Sequence, residues 1–181
     1  MSGDRGYVRR EQERLRRSFR PGELRLLLIG ESAPASGRFF YQRDSGLYRA
    51  VRDAFRIVET GITDESFLEA FQASGCYLID LCAEPVDHLD SKSRRAACRA
   101  SETSLSRRIV SLQPPAIATV VRSIEANVAR AISSAHWHGP LHHFPYPGRW
   151  SRYRSAFVDS FATKLSELMR QGARHPAGDC S

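Results

Sequence analysis

The chain has 181 residues and a mass of 20.4 kDa, which suits one domain with a helical extension. Its net charge is +7, and only Lys92 and Lys164 of its 27 basic residues are lysines. This arginine-rich composition favours polyanionic partners, because the guanidinium fork matches phosphate geometry. The spacing of its four cysteines, with no C-x-x-C pair, argues against a zinc or iron–sulfur site.

Apolar runs alternate with amphipathic segments along the chain, which is typical of an α/β domain. The helices are predicted, in chain order, at 5–19, 46–58, 64–75, 94–112, 122–134 and 151–171, and the strands at 24–30, 76–82 and 114–121. This alternation predicts a three-layer α/β/α sandwich with a mostly parallel sheet. The predicted boundaries are 1–22 for an arginine-rich helical extension, 23–170 for the domain and 171–181 for a flexible tail.

Three polar segments follow predicted strands or precede the last helix. They read GESAP from Gly30, DLCAEPVDH from Asp80 and FPYPG from Phe144. In open parallel sheets, ligands bind beyond the carboxyl ends of the strands. We therefore expect these three segments to meet at one mouth.

The segment LLLIGESAP, which ends at Pro34, resembles the first motif of the uracil-DNA glycosylase superfamily, in its Gly-Glu-Ala-Pro-Gly version. YLIDLCAEPV, from Tyr77, is similar to that family's second strand, which an asparagine ends. HHFPYPGRWSRY, from His142, occupies the place of the family's late His-Pro-Ser block. The similarity covers residues 24–168 in order and spacing, so it implies a uracil-DNA glycosylase-like fold.

The resemblance also implies roles for individual residues. Glu31 and His143 are the implied catalytic residues: a carboxylate stabilises the sugar cation, and a histidine stabilises the departing base. The implied base-binding residues are Gly30, Phe40 and Asp80. The implied contacts to the DNA backbone are Ser32, Pro34, Arg38, Pro145, Pro147, Gly148 and Arg149.

Two positions depart from the family pattern. Asp80 stands in place of the asparagine, and an ionised carboxylate only accepts hydrogen bonds. Either Asp80 is protonated, or the preferred base is not uracil, or Asp80 merely caps the strand. Phe144 stands in place of the histidine, so His143 is offset by one residue and is alternatively a packed or solvated side chain. Glu31 alternatively caps the next helix or pairs with an arginine.

The sequence thus predicts a monofunctional DNA glycosylase that removes a deaminated or damaged base. One alternative is a member of the same fold that binds nucleic acid or a nucleotide without cleaving it. A second alternative is an esterase with Ser32 as nucleophile, because IGES resembles the GDSL-type block; however, no histidine is preceded three residues earlier by aspartate. We expect single- or double-stranded DNA as the partner and a cytoplasmic location. We expect no cofactor, no metal, no membrane span and no obligate protein partner.

Overall fold

The structure is a computed structural model that describes residues 2–148 and 151–172 of the chain. Within these residues the chain forms seven α-helices and four β-strands. The helices are α1 (Ser2–Ser18), α2 (Gly46–Val58), α3 (Phe67–Ala73), α4 (Ser91–Ala100), α5 (Glu102–Leu112), α6 (Glu125–Ser134) and α7 (Ser151–Gly172). The strands are β1 (Leu26–Gly30), β2 (Cys76–Asp80), β3 (Ile117–Thr119) and β4 (Leu141–His143).

The four strands form one parallel sheet in the order β2-β1-β3-β4. β1 lies inside the sheet and is buried along its whole length, which explains why its sequence is continuously apolar rather than alternating. Gly30 at the end of β1 is in register with Asp80 at the end of β2. The prediction of a mostly parallel α/β sheet is confirmed.

The strand order places helices on both faces of the sheet. The connection from β1 to β2 runs in one direction, whereas those from β2 to β3 and from β3 to β4 run in the other. Because such crossovers are right-handed, α2 and α3 lie on one face and α4, α5 and α6 on the opposite face. α7 packs against α2, and α5 packs against α6. The predicted three-layer sandwich is therefore confirmed.

Two elements differ from the sequence prediction. The single helix predicted over 94–112 is two helices, because the carboxylate of Asp90 accepts hydrogen bonds from the backbone N–H groups of Lys92 and Ser93 and so starts α4 early. The chain then breaks at Ser101 before α5. β4 was not predicted, since its three residues are too few and too polar to give a strand pattern.

The arginine-rich helix α1 lies against the sheet domain. The ring of Phe19, just after α1, stacks on Tyr41 with 5.7 Å between centroids. The side-chain amide of Gln72 donates to the backbone carbonyls of Ser18 and Arg20, at 3.2 and 2.9 Å. α7 ends at Gly172, within the predicted tail 171–181, and the rest of that tail lies outside the described residues. Among the described helices, none has the length and apolarity needed to cross a membrane.

Tyr41 also closes part of the sheet edge. β2 is an outer strand, so one of its sides has no neighbouring strand within the sheet. The buried Tyr41 hydroxyl donates to the carbonyl of Leu78 at 3.0 Å and accepts from the N–H of the same residue at 2.8 Å. Both backbone groups of a β2 residue are thus satisfied by one side chain, as buried polar groups require. Burial raises the pKa of this hydroxyl well above its ordinary value.

Candidate functional site

A cavity of about 850 Å³ lies beyond the carboxyl ends of β1 and β2, where parallel sheets usually bind ligands. It receives residues from the loop after β1, from the end of β2 and from the segment between β4 and α7. The predicted site residues that line it are Gly30, Glu31, Ser32, Pro34, Arg38, Phe40, Asp80, Pro147 and Gly148. His143 and Pro145 do not line it, and Arg149 lies outside the described residues. The expected convergence of three distant segments is therefore observed.

Glu31 is held in the cavity wall by an arginine that the sequence analysis did not single out. Nε of Arg94, in the first turn of α4, donates to Oε1 of Glu31 at 2.9 Å, and a second guanidinium nitrogen donates to Oε2. The hydroxyl of Ser123 approaches Oε1 at 3.5 Å. Glu31 is 9% exposed, and its pairing with an arginine is one of the alternatives that the sequence left open. This hydrogen bond raises the pKa of Arg94, which therefore stays charged.

Asp80 is held in a different way, by one arginine of α1. A terminal nitrogen of Arg16 donates to Oδ2 of Asp80 at 2.8 Å. Oδ1 lies over Gly30: a Cβ atom at that glycine would come within 2.8 Å of it, so only glycine fits there. Burial raises the pKa of Asp80, and the nearby charges of Arg16 and Arg108 oppose that rise. The backbone carbonyls of Asp80 and Leu81 accept from Arg108, which fixes the end of the strand.

Phe40 contributes to the cavity wall but belongs to an aromatic cluster of the core. Its buried ring packs against Tyr41, Tyr48, Phe67 and Phe71, with centroid distances of 5.0 to 6.2 Å. Its neighbour Phe39 is also buried and also lines the cavity. The sequence does not distinguish these two adjacent rings, because both are apolar and both follow the same loop.

The late block brings different groups to the cavity from those expected. His143 is 44% exposed, and its Nδ1 lies 2.8 Å from the hydroxyl of Thr119 and 3.6 Å from a carboxylate oxygen of Glu125. Phe144 is buried against Phe157 and Phe161, so this position serves the core. The part of the block that reaches the cavity is the turn after it, from Tyr146 to Gly148.

Ser32 has no base beside it in this part of the chain. Its Oγ accepts a hydrogen bond from the backbone N–H of Val86 at 3.2 Å, which ties the loop after β1 to the loop after β2. Of the histidines within the described ranges, none lines the cavity. A serine hydrolase needs a base within hydrogen-bond reach of its nucleophile. The geometry therefore gives the esterase alternative no support.

Arginines dominate the charge of the cavity. Its lining contains three carboxylates, from Glu31, Asp80 and Asp87, and a larger number of guanidinium groups. The arginines are Arg38, Arg49, Arg94, Arg122 and Arg154. Two of these five pair with acids, since Arg94 binds Glu31 and Arg154 binds Asp53. The lining thus carries two more positive than negative side chains, which favours an anionic ligand.

No protein-family model matches the chain, and a search of curated proteins finds no match either. Among the residues that the structure describes, no group of three or more histidine, cysteine, aspartate or glutamate side chains is placed to hold a metal ion.

Proposed function

We propose that this protein is a monofunctional DNA glycosylase, which hydrolyses the N-glycosidic bond of a deaminated or damaged base. The observation that carries this proposal is the meeting of three distant segments around one cavity. Glu31, Asp80 and the turn ending at Gly148 all line it. They come from the three blocks that resemble the uracil-DNA glycosylase superfamily, in the same order along the chain.

The proposed catalytic carboxylate is Glu31. Breaking a base–deoxyribose bond leaves positive charge on the sugar, which a fixed negative charge nearby stabilises. Two donors of Arg94 hold both oxygens of Glu31 in one orientation, so little reorganisation is needed when the charge develops. The same carboxylate is suited to position the attacking water.

The arginines of the cavity provide for the two anions of this reaction. DNA phosphates bind guanidinium groups well, and Arg38 and Arg122 lie on the lining without an acidic partner within the described residues. The departing base also carries negative charge, and His143 lies outside the cavity. We therefore assign the stabilisation of that base to the net positive lining rather than to a histidine.

The test is a single-turnover assay on labelled single- and double-stranded oligonucleotides that carry altered bases, with alkali to reveal abasic sites. We expect wild-type protein to produce abasic sites and Glu31→Gln to be about 100-fold slower or more, the usual loss when one electrostatic stabiliser is removed. Glu125→Gln is the matched control, because Glu125 lies outside the cavity and should retain full activity. Wild-type protein that opens none of the substrates, or a fully active Glu31→Gln, contradicts the proposal.

A second candidate is a protein of this fold that binds DNA without cleaving it. The observation in its favour is that Arg94 already occupies both oxygens of Glu31, while no histidine of the described ranges reaches the cavity. Such a protein should bind the oligonucleotides in a salt-sensitive manner and make no abasic sites. Neutralising Arg38 and Arg122 together should weaken that binding, whereas Glu31→Gln should leave it unchanged.

A further inference from the structure

The two oxygens of Asp80 have different surroundings, and this difference bears on which base the cavity accepts. Oδ2 is bound by Arg16 at 2.8 Å. Oδ1 lies over Gly30, at the cavity, and has no hydrogen bond within the part of the chain that the structure describes. One oxygen therefore belongs to the protein, and the other faces the ligand.

Arg16 is itself fixed, so it holds Asp80 in one position. One of its terminal nitrogens donates to Glu13 at 2.7 Å while the other donates to Asp80. Its guanidinium lies over the ring of Phe39, 5.3 Å from the centroid. Its side chain is only 15% exposed, and it does not line the cavity. Arg16 thus acts on the ligand only through Asp80.

We propose that Asp80 reads an exocyclic amino group on the flipped base, and that Arg16 of α1 is the positioning residue that makes it do so. A carboxylate held by an arginine accepts hydrogen bonds and donates none. An amino group, as on cytosine or adenine, donates to Oδ1. A carbonyl in the same place, as on uracil or hypoxanthine, is repelled.

This inference rests on the proposed function and narrows its substrate class. The base would keep its amino group and be altered elsewhere, for example by alkylation or oxidation, and deaminated bases would be disfavoured. It also gives α1 a part in specificity, although α1 precedes the sheet domain in the sequence.

The experiment measures binding rather than cleavage, so that the two proposals fail separately. Single-stranded oligonucleotides carry cytosine or uracil, and adenine or hypoxanthine, at one position whose sugar is 2′-fluorinated to block cleavage. Fluorescence anisotropy gives the affinities for wild type, Asp80→Asn, Arg16→Gln and Arg17→Gln. Arg17 is the matched control, since it lies on the same helix and pairs only with Glu13.

Wild type should bind the amino member of each pair at least tenfold more tightly, and Arg17→Gln should do the same. Asp80→Asn should lose or reverse the preference, because an amide also donates. Arg16→Gln should lose the preference at a higher pH than wild type does. The charges that face Asp80 are Arg16 and Glu13 on α1 and Arg108 on α5, and without Arg16 the carboxylate takes up a proton more readily.

Equal binding of both members by wild type overturns the inference without any variant being needed. A folded Asp80→Asn protein with unchanged preference overturns it as well. Cleavable versions of the same oligonucleotides separate the two proposals. If uracil and hypoxanthine are excised and amino-bearing bases are not, the inference fails and the glycosylase stands. If amino-bearing bases are bound selectively and no base of any kind is excised, the glycosylase fails and the reading by Asp80 stands.

Discussion

Two carboxylates lie at the ends of neighbouring parallel strands, and each is held by an arginine from far along the chain. Glu31 after β1 pairs with Arg94, and Asp80 at the end of β2 pairs with Arg16. Arg94 binds both oxygens of its partner with 39% of its side chain exposed, whereas Arg16 binds one oxygen and is 15% exposed. The first arginine lines the cavity and the second stands behind it.

The difference between these pairs is one of access. Arg94 can exchange its carboxylate for an incoming phosphate, because water and ligand both reach it. Arg16 cannot do so without leaving Glu13 and the ring of Phe39. The Glu31 pair is thus suited to change during a reaction, and the Asp80 pair is a fixed part of the wall.

The largest expected effect on stability comes from removing the enclosed arginine. Arg16→Met leaves a largely buried carboxylate without its partner, which should lower the free energy of unfolding by about 3 kcal/mol at pH 8. Adding Asp80→Asn should restore most of that loss, because the uncompensated charge is then gone. Urea unfolding of the two single variants and the double variant measures the coupling. Additive effects would show that the two side chains stabilise the fold independently.

The loss in Arg16→Met should also depend on pH. Burial already raises the pKa of Asp80 in the folded protein above its unfolded value, and removing Arg16 raises it further. As the pH falls from 8 towards 5, the folded variant takes up this proton before the unfolded chain does, so it regains stability relative to wild type. Urea midpoints at several pH values test this expectation. A gap between variant and wild type that widens on acidification would be the opposite of what we expect.

A smaller effect is expected for Arg94→Met. Its partner Glu31 faces the cavity, where water can replace the lost donors, and the Ser123 hydroxyl remains near it. Partly exposed ion pairs contribute little, so the free energy of unfolding should fall by about 1 kcal/mol or less. A loss as large as that of Arg16→Met would remove the distinction between the two pairs.

The smallest effect concerns a histidine on β4, away from both pairs. Burial and the charge of Lys164 lower the pKa of His142, whose Nε2 is buried without a partner among the described residues. The unfolded chain therefore binds this proton first, and stability is lost as the pH falls below about 6.5, the unperturbed value. His142→Gln should have a slightly smaller drop in Tm between pH 7.5 and 5.5 than wild type. An identical drop in the two proteins would mean that this side chain is not the source.

Periodicity and turn residues are sufficient to predict much of this fold. The helix predicted over 46–58 matches α2 residue for residue, since its apolar face and its Ser45 cap are both local signals. The parallel sheet follows from continuous apolar runs bounded by polar loops. β4 escapes prediction because three residues, with their histidines partly exposed, carry no strand pattern.

The site is less predictable, and the reason is distance along the chain. The polar residues that end β1 and β2 identify Glu31 and Asp80, because strand ends meet at one edge. The arginines that bind them lie 63 and 64 residues away, and no local pattern marks one arginine among so many. Phe40 and Phe144 illustrate the same limit: motif position pointed to the site, but packing among other aromatic rings places both in the core.

The hydroxyl of Tyr41 has a consequence for how copies of this protein behave together. An outer strand with free backbone groups invites a strand from another molecule, which is a route to aggregation. At Leu78 that invitation is withdrawn, because one phenol already occupies both the N–H and the carbonyl. Phe19 stacks over the same ring and shields it. The segment that follows α1 therefore helps to keep the sheet from growing beyond its four strands.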